Sequence, residues 1–370
     1  MTLKAKPIAL ALLAAIVAAA PAAASAKPFL ARLHTITTLS SAVPTHGAAK
    51  GDENPYGVAV VPRTRGRLIK GDVLVSNFNN AQNQQGTGSS IVEISPSGHE
   101  SVFAIVPKPT STPAVGLTTA LVALRNGYVI VGSLPAPGGM SSAAGAGALT
   151  VLNAAGSVVY TIKGGDIDGP WDMTAVDHGN SAVLFVTNVL NGTVAAAGKV
   201  VHGGNVVRIG LSLPRNGTAP TVTSIRAIAT GFGEHTDPNA LIVGPTGVGL
   251  GSDGTLYVAD SNGNRIAAIR DALTRTSVLG GGGMTLTSGG SVNDPLGLTI
   301  APNGDILSFN GADGNVIETT PGGQQVVTKR LVANGAGDLF GAAIAPRGNG
   351  VYFVNDSGTG PAANSLQLLH

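Results

Sequence analysis

One short element returns six times along this chain: a run of apolar residues that ends on a small or polar one. The copies are DVLVSN (ending at Asn77), YVIVGS (Ser133), AVLFVTN (Asn188), TLYVAD (Asp260), DILSFN (Asn310) and GVYFVN (Asn355), with 45 to 72 residues between successive ends. A supersecondary unit repeated at that spacing marks an array in which each unit buries its faces against its neighbours.

Every copy follows a second strand of smaller residues: NPYGVAVV from Asn54, TPAVGLTTAL from Thr112, GPWDMTAV from Gly169, GPTGVGLG from Gly244, DPLGLTIA from Asp294 and DLFGAAIA from Asp338. Gly, Ala and Thr suit the innermost strand of a propeller blade, where neighbouring blades converge on the axis and side-chain volume is limited. Third strands follow as SIVEISPSG, GALTVLNAAG, NVVRIGLSL, RIAAIRDAL, NVIETTPGG and NSLQLLH, and fourth strands as ESVFAIV, SVVYTIK, TSIRAIAT, TSVLGG and QQVVTKRLV. The sixth unit stops at His370 without a fourth strand, whereas ARLHTITTLS (Ala31 to Ser40) stands before the first unit with no partners of its own. Pairing the two removes an open sheet edge. The expectation is an all-β chain, a six-bladed β-propeller of four-stranded blades, with the ring closed by the N-terminal strand completing the last blade. Turn sequences agree: PSG at 96–98, SDG at 252–254, PNG at 302–304 and PGG at 321–323 each fall between adjacent strands.

The first 26 residues read as an export signal: Lys4 and Lys6, an apolar run from Ile8 to Ala20, Pro21, and the small-residue pattern Ala24-Ser25-Ala26, with cleavage expected between Ala26 and Lys27. The mature chain, 27–370, is then a single propeller domain in the periplasm or medium, without a membrane anchor and expected as a monomer. It has no cysteine, so disulfides are excluded and stability rests on a large core. Basic residues number 22 and acidic 20, and losing Lys4 and Lys6 brings them level. Balanced charge and 4% aromatic residues argue against a nucleic-acid partner.

LYVADSNGNRI (Leu256 to Ile266), with GPTGVGLGSDG before it, resembles the core and opening hairpin of an NHL repeat, and DPLGLTIAPNGDILSFN resembles it next best. The wider resemblance is to six-bladed propellers of the TolB-like kind, a group that implies lactonases, lyases and pure binding modules alike. Among these, the opening Glu53-Asn54-Pro55 is similar to the Glu-Gly-Pro start of gluconolactonase-like propellers, which implies a divalent cation near the axis with Glu53 as a ligand. That family places Asn or Asp between Pro and Gly at later inner-strand starts, where this chain has Trp171, Thr246 and Leu296. GLGSDG (Gly249 to Gly254) matches a dinucleotide fingerprint by letters only, because it leads into a strand and not a helix.

In such a blade the loops from second to third strand share one face with the connections between blades. Asn54, Asn77, Asn79, Trp171, Asn188, Asp260, Asn310 and Asn355 are expected on that ligand-binding face. Oxygen-rich side chains converging on an axis suit calcium, with Glu53, Asn188 and Asp260 as candidate ligands. Equally, each Asn or Asp can cap its own strand by bonding nearby backbone. Glu234-His235, in a GFGEHTDPN segment expected as a rim loop, is the one acid–histidine neighbour on that face, but adjacent residues of an extended chain point apart. Long polar, Gly-rich loops after Asn77, Ser133 and Asn188 extend three successive blades. With no complete catalytic set, the leading expectation is a binding or scaffold module for a protein, peptide or glycan. The alternative is a calcium-dependent lactonase or hydrolase.

Overall fold

The structure is a computed structural model that describes residues 1–2, 27–108, 110, 112–333, 335, 337–357 and 362–370. The export signal and its cleavage point lie, apart from the first two residues and Lys27, outside them. Six antiparallel sheets form a ring. Blade 1 runs Glu53–Val60, Val73–Asn79, Ser90–Ile94 and Glu100–Ile105; blade 2 runs Leu117–Ala123, Val129–Ser133, Ala148–Leu152 and Val158–Ile162. Blade 3 runs Gly169–Asp177, Ser181–Val189, Val201–Ser212 and Thr221–Asp237, with an added short strand Leu241–Val243. Blade 4 runs Pro245–Leu250, Leu256–Asp260, Arg265–Ile269 and Met284–Ser288; blade 5 runs Pro295–Ile300, Ile306–Asn310, Asn315–Thr319 and Gln325–Arg330. Blade 6 takes Leu339–Ile344, Val351–Asn355 and Ser365–Leu369 from the C-terminal end and Ile36–Ser41 from the N-terminal end. That last strand pairs antiparallel with Ser365–Leu369, Ile36 opposite Leu369, so the ring closes as the sequence leads one to expect.

The inner strands show why small and hydroxylated residues recur there. Four of them shift register where the chain passes from Pro toward Gly or Asp: at Pro55/Gly57, Pro170/Asp172, Pro245/Val248 and Pro295/Gly297. A bulge frees carbonyls from the ladder, and a hydroxyl of the preceding blade takes them up. Thr118 donates to the Pro170 carbonyl at 2.8 Å, Thr187 to that of Thr246 at 2.7 Å, and Ser261 to that of Pro295 at 2.7 Å. Glycine is required at Gly297 and Gly341, where a Cβ would collide with the backbone carbonyls of Phe340 and Tyr56 in the next blade. The turn glycines 98, 254, 304 and 323 all adopt left-handed φ.

Three local expectations are corrected. The outer strand of blade 4 is Met284–Ser288, not TSVLGG: Leu279 pairs in parallel with Ala229 of the neighbouring blade, and left-handed Gly281, Gly282 and Gly283 then turn the chain back. The inner strand of blade 2 begins at Leu117, five residues after Thr112. GFGEHTDPN is no rim loop, because the outer strand of blade 3 continues through it to Asp237 and folds back so that His235 faces Val243. No helix among the described residues is long and apolar enough to cross a membrane.

Candidate functional site

Starts of inner strands and ends of second strands meet on one face, around a cavity of about 460 Å3 at the axis. Its floor is aromatic. Tyr56 stacks between Phe78 (centroids 4.5 Å, planes 13° apart) and Phe340 (3.9 Å, 26°), and Trp171 meets Tyr56 and Phe78 edge-on. These rings come from blades 1, 3 and 6. A second cavity of about 340 Å3, lined by later residues of the same inner strands, shares no lining residue with this mouth. Asp172 lines the second cavity, its carboxylate accepting the Met173 and Val248 N–H groups at 2.7 and 3.2 Å, and burial raises its pKa well above the carboxylate range.

The mouth wall is built of amides and carboxylates. Asn54 takes a left-handed conformation (φ 61°), which a short amide side chain tolerates, and is held there by a 2.9 Å bond from its N–H to Asn364 Oδ1. Asn79 donates to Asn83 Oδ1 at 2.5 Å. The carbonyl oxygens of Asn54, Asn79 and Gln85 are buried with no donor. Gln85 Nε2 donates to the Asn239 carbonyl at 2.6 Å, tying the long loop of blade 1 to the hairpin tip of blade 3. Ala136 N–H donates to the Gly86 carbonyl at 2.9 Å, so the blade 2 loop is fastened to the blade 1 loop as well. Asp356 completes the wall. Burial, with the nearby charges of Asp338 and Glu53, pushes its pKa up to about 8.

The expected face residues divide by these contacts. Asn54, Asn79 and Trp171 line the mouth. Asn77 is fully buried and donates to the Ala42 carbonyl (2.8 Å) and Ser90 Oγ (3.0 Å), fastening the N-terminal segment to blade 1. Asp260 pairs with Arg265 Nε at 2.8 Å and accepts the Gly263 N–H, Asn310 bonds the Ser291 carbonyl and Asp313, and Asn355 accepts the Ser357 N–H. The last three are spent on local structure, and Asn77, whose oxygen meets no donor, lies behind the mouth and not in its lining. Glu53, opposite Asn79 across its strand pair, accepts from Asn364 at 3.4 Å. Glu53, Asn188 and Asp260 thus serve three different blades, and no group of three His, Asp or Glu able to hold a metal ion occurs among the described residues. Trp171, Thr246 and Leu296, which stand where gluconolactonase-like propellers carry Asn or Asp, all face the mouth, and the Thr246 hydroxyl is engaged with the Pro295 carbonyl. This set does not fit an axial cation of that kind. Tyr56, Phe340, Gln85 and Asp356 carry no mark in the sequence that sets them apart, although Tyr56 lies in Pro55-Tyr56-Gly57 and Phe340 in Leu339-Phe340-Gly341, both at inner-strand starts.

Residues 243–269 match the NHL repeat family. The match covers the first three strands of blade 4. The ring as a whole is similar to a gluconolactonase from Xanthomonas campestris (14% identity, covering 90% of this chain and 88% of that one, TM-score 0.54). It is also similar to a calcium-binding protein, regucalcin, from Agrobacterium tumefaciens (12%, 85% and 89%, TM-score 0.53). A PQQ-bound aldose sugar dehydrogenase from Streptomyces coelicolor resembles it comparably (14%, 90% and 97%, TM-score 0.52). At such identities the likeness is one of fold. No curated protein matches the chain.

A second polar cluster lies beside the mouth, under the long loop of blade 3. Asn188, fully buried, bonds Asn205 Oδ1 at 3.3 Å, Asn205 bonds Asn191 Oδ1 at 3.5 Å, and Asn191 bonds Glu234 Oε2 at 3.5 Å. Glu234 is fully buried, and burial pushes its pKa up to about 8, the nearby charge of Asp168 adding to the effect. His235, its neighbour in sequence, is turned to Asn262 instead (3.1 Å).

Proposed function

We propose that this propeller is an extracytoplasmic binding module whose axial mouth takes a glycan. One observation carries the reading: an aromatic-floored cavity walled by Asn54, Asn79 and Gln85, whose amide oxygens lie buried behind its surface without a donor and come within a ligand's reach by rotation of the side chains. Sugar hydroxyls donate hydrogen bonds to such oxygens, while the apolar face of the ring covers Phe340 and Leu296. The volume falls within the roughly 300–1,000 Å3 of small-ligand pockets. An unsatisfied buried acceptor costs about 1–3 kcal/mol, so a ligand that satisfies several gains that much per contact and discriminates against isosteres lacking the hydroxyl. Export, expected from residues 1–26, fits a chain without cysteine that meets its ligand outside the cytoplasm.

The test is calorimetry against a panel of oligosaccharides. Asn54→Ala and Asn79→Ala should each weaken binding about tenfold, since both side chains line the cavity, and Asn54→Ala should also lower the thermal midpoint because Ala is strained at its left-handed φ. Binding that is indifferent to both changes refutes the assignment. A second reading, lactone hydrolysis, is supported by Asp356: a carboxyl with a pKa of about 8 in the same mouth can exchange a proton with a bound ester. Its test is hydrolysis of an aldonolactone with and without calcium, where Asp356→Asn should abolish turnover if that reading is correct.

A further inference from the structure

We propose that the blade 3 cluster is a structural site for a hard divalent cation of the calcium class, held by the carboxylates of Glu234 and Asp168 and the side-chain oxygens of Asn188, Asn191 and Asn205. Two orphaned acceptors point to it. Glu234 Oε1 and Asn188 Oδ1 are both on fully buried side chains, and neither meets a donor. A carboxylate brought out of water needs a partner charge or a full set of donors, and Glu234 has a long bond from Asn191 and the nearby Leu190 N–H but no cation.

The spacing of the group suits an ion. Its links run 3.3 Å from Asn188 to Asn205, 3.5 Å from Asn205 to Asn191 and 3.5 Å from Asn191 to Glu234, all longer than the usual 2.9–3.0 Å of an N–H···O bond. Two oxygens at about 2.4 Å from one calcium and at right angles to each other are ~3.4 Å apart. A half-turn of the Asn191 amide sets its oxygen opposite Glu234 Oε2 at that 3.5 Å spacing without moving the chain. Asn205 also reaches the Asp166 carbonyl at 3.4 Å, which brings the connection that carries Asp168 against the cluster. Room is preserved by glycine: a Cβ at Gly203 would stand 2.9 Å from Glu234 Oε1 and 2.6 Å from Asn191 Cβ.

The ion's role follows from what it would join. Glu234 lies on the outer strand of blade 3 just before the hairpin whose returning strand, with Ile242 and Val243, walls the axial mouth. Asn188 ends the second strand, Asn191 opens the long loop, and Asp168 precedes the inner strand. A cation bound to all of them fixes the mouth's blade 3 wall without touching a ligand in it. The site is separate from the Glu53 end of the mouth, so its fate is independent of the glycan reading.

The experiment uses the whole chain stripped with EDTA and titrated with calcium, followed by calorimetry and thermal unfolding. The wild type should bind one ion per chain and unfold at a rising temperature as calcium increases. Hydrogen exchange across residues 221–243 should slow. Glu234→Gln, which keeps the shape, should weaken calcium binding about tenfold or more, and Asp168→Asn should do the same. Glu53→Gln should leave it unchanged. If Glu234→Gln does not accumulate as folded protein, Asp168→Asn on its partly exposed side chain decides. A wild type that takes up no calcium overturns the proposal, and so does uptake that survives both blade 3 variants or is lost with Glu53→Gln.

Discussion

Asp356 holds its proton in the folded chain to about pH 8, whereas an unfolded aspartate releases it near 3.8. Between those values the folded state binds more protons than the unfolded, so its stability falls as pH rises from about 4 to 8 and levels off beyond. Asp356→Asn removes this term. The variant should match the wild type near pH 4 and exceed it by roughly 2–4 kcal/mol at pH 8.5 in urea unfolding, and a parallel offset at both pH values would contradict the assignment. At this scale the sequence was legible only in part. Asn54, Asn79 and Trp171 could be placed on the face that carries the mouth because inner-strand starts and second-strand ends share that face in every blade. Asp260, Asn310 and Asn355 are second-strand ends too but cap their strands, since the side chain that caps a turn and the side chain that meets a ligand have the same chemistry. Arg265, five residues beyond Asp260, is the one mark in the sequence that this carboxylate is already paired.

Closure of blade 6 rests on more than its outer strand. Phe29 and Leu30 donate their N–H groups to the two oxygens of the fully buried Glu318 carboxylate, at 2.5 and 2.7 Å, and Lys329 Nζ donates to the Leu33 carbonyl. Phe29, Leu30 and Leu33 join the core between blades 5 and 6, with Phe309, Val316 and Phe353. A chain beginning at Asp52 loses this peg together with strand Ile36–Ser41. It should be less stable by on the order of 5 kcal/mol, a fall in Tm of roughly 10 °C or more, and an unchanged Tm would contradict the closure. Glu318→Ala alone should cost about 2–4 kcal/mol, because two buried backbone donors lose a charged acceptor. Strands were well legible where apolar runs met turn glycines. They were misread where a segment could pair elsewhere: Leu279 was captured by the long outer strand of blade 3, and that strand was hidden because GFGEHTDPN carries turn residues along a bulged, extended ribbon.

The whole molecule is a ring in which the packed Tyr56, Phe340 and Trp171 rings line the axial mouth, and a second cavity on the inner strands shares none of its residues. The number of blades and the way the ring closes follow from the repeat itself, because each unit must bury its faces against the next. What the mouth holds does not follow from the repeat, because the lining comes from several blades whose juxtaposition only the closed ring creates. Trp171 is the chain's single tryptophan and borders that mouth, so its fluorescence reports occupancy without a label. Titration of the wild type with oligosaccharides should give a saturable change in Trp171 emission that Asn54→Ala and Asn79→Ala shift to about tenfold higher ligand concentration. Emission that stays constant across the saccharide panel, while a lactone or peptide changes it saturably, would contradict the account.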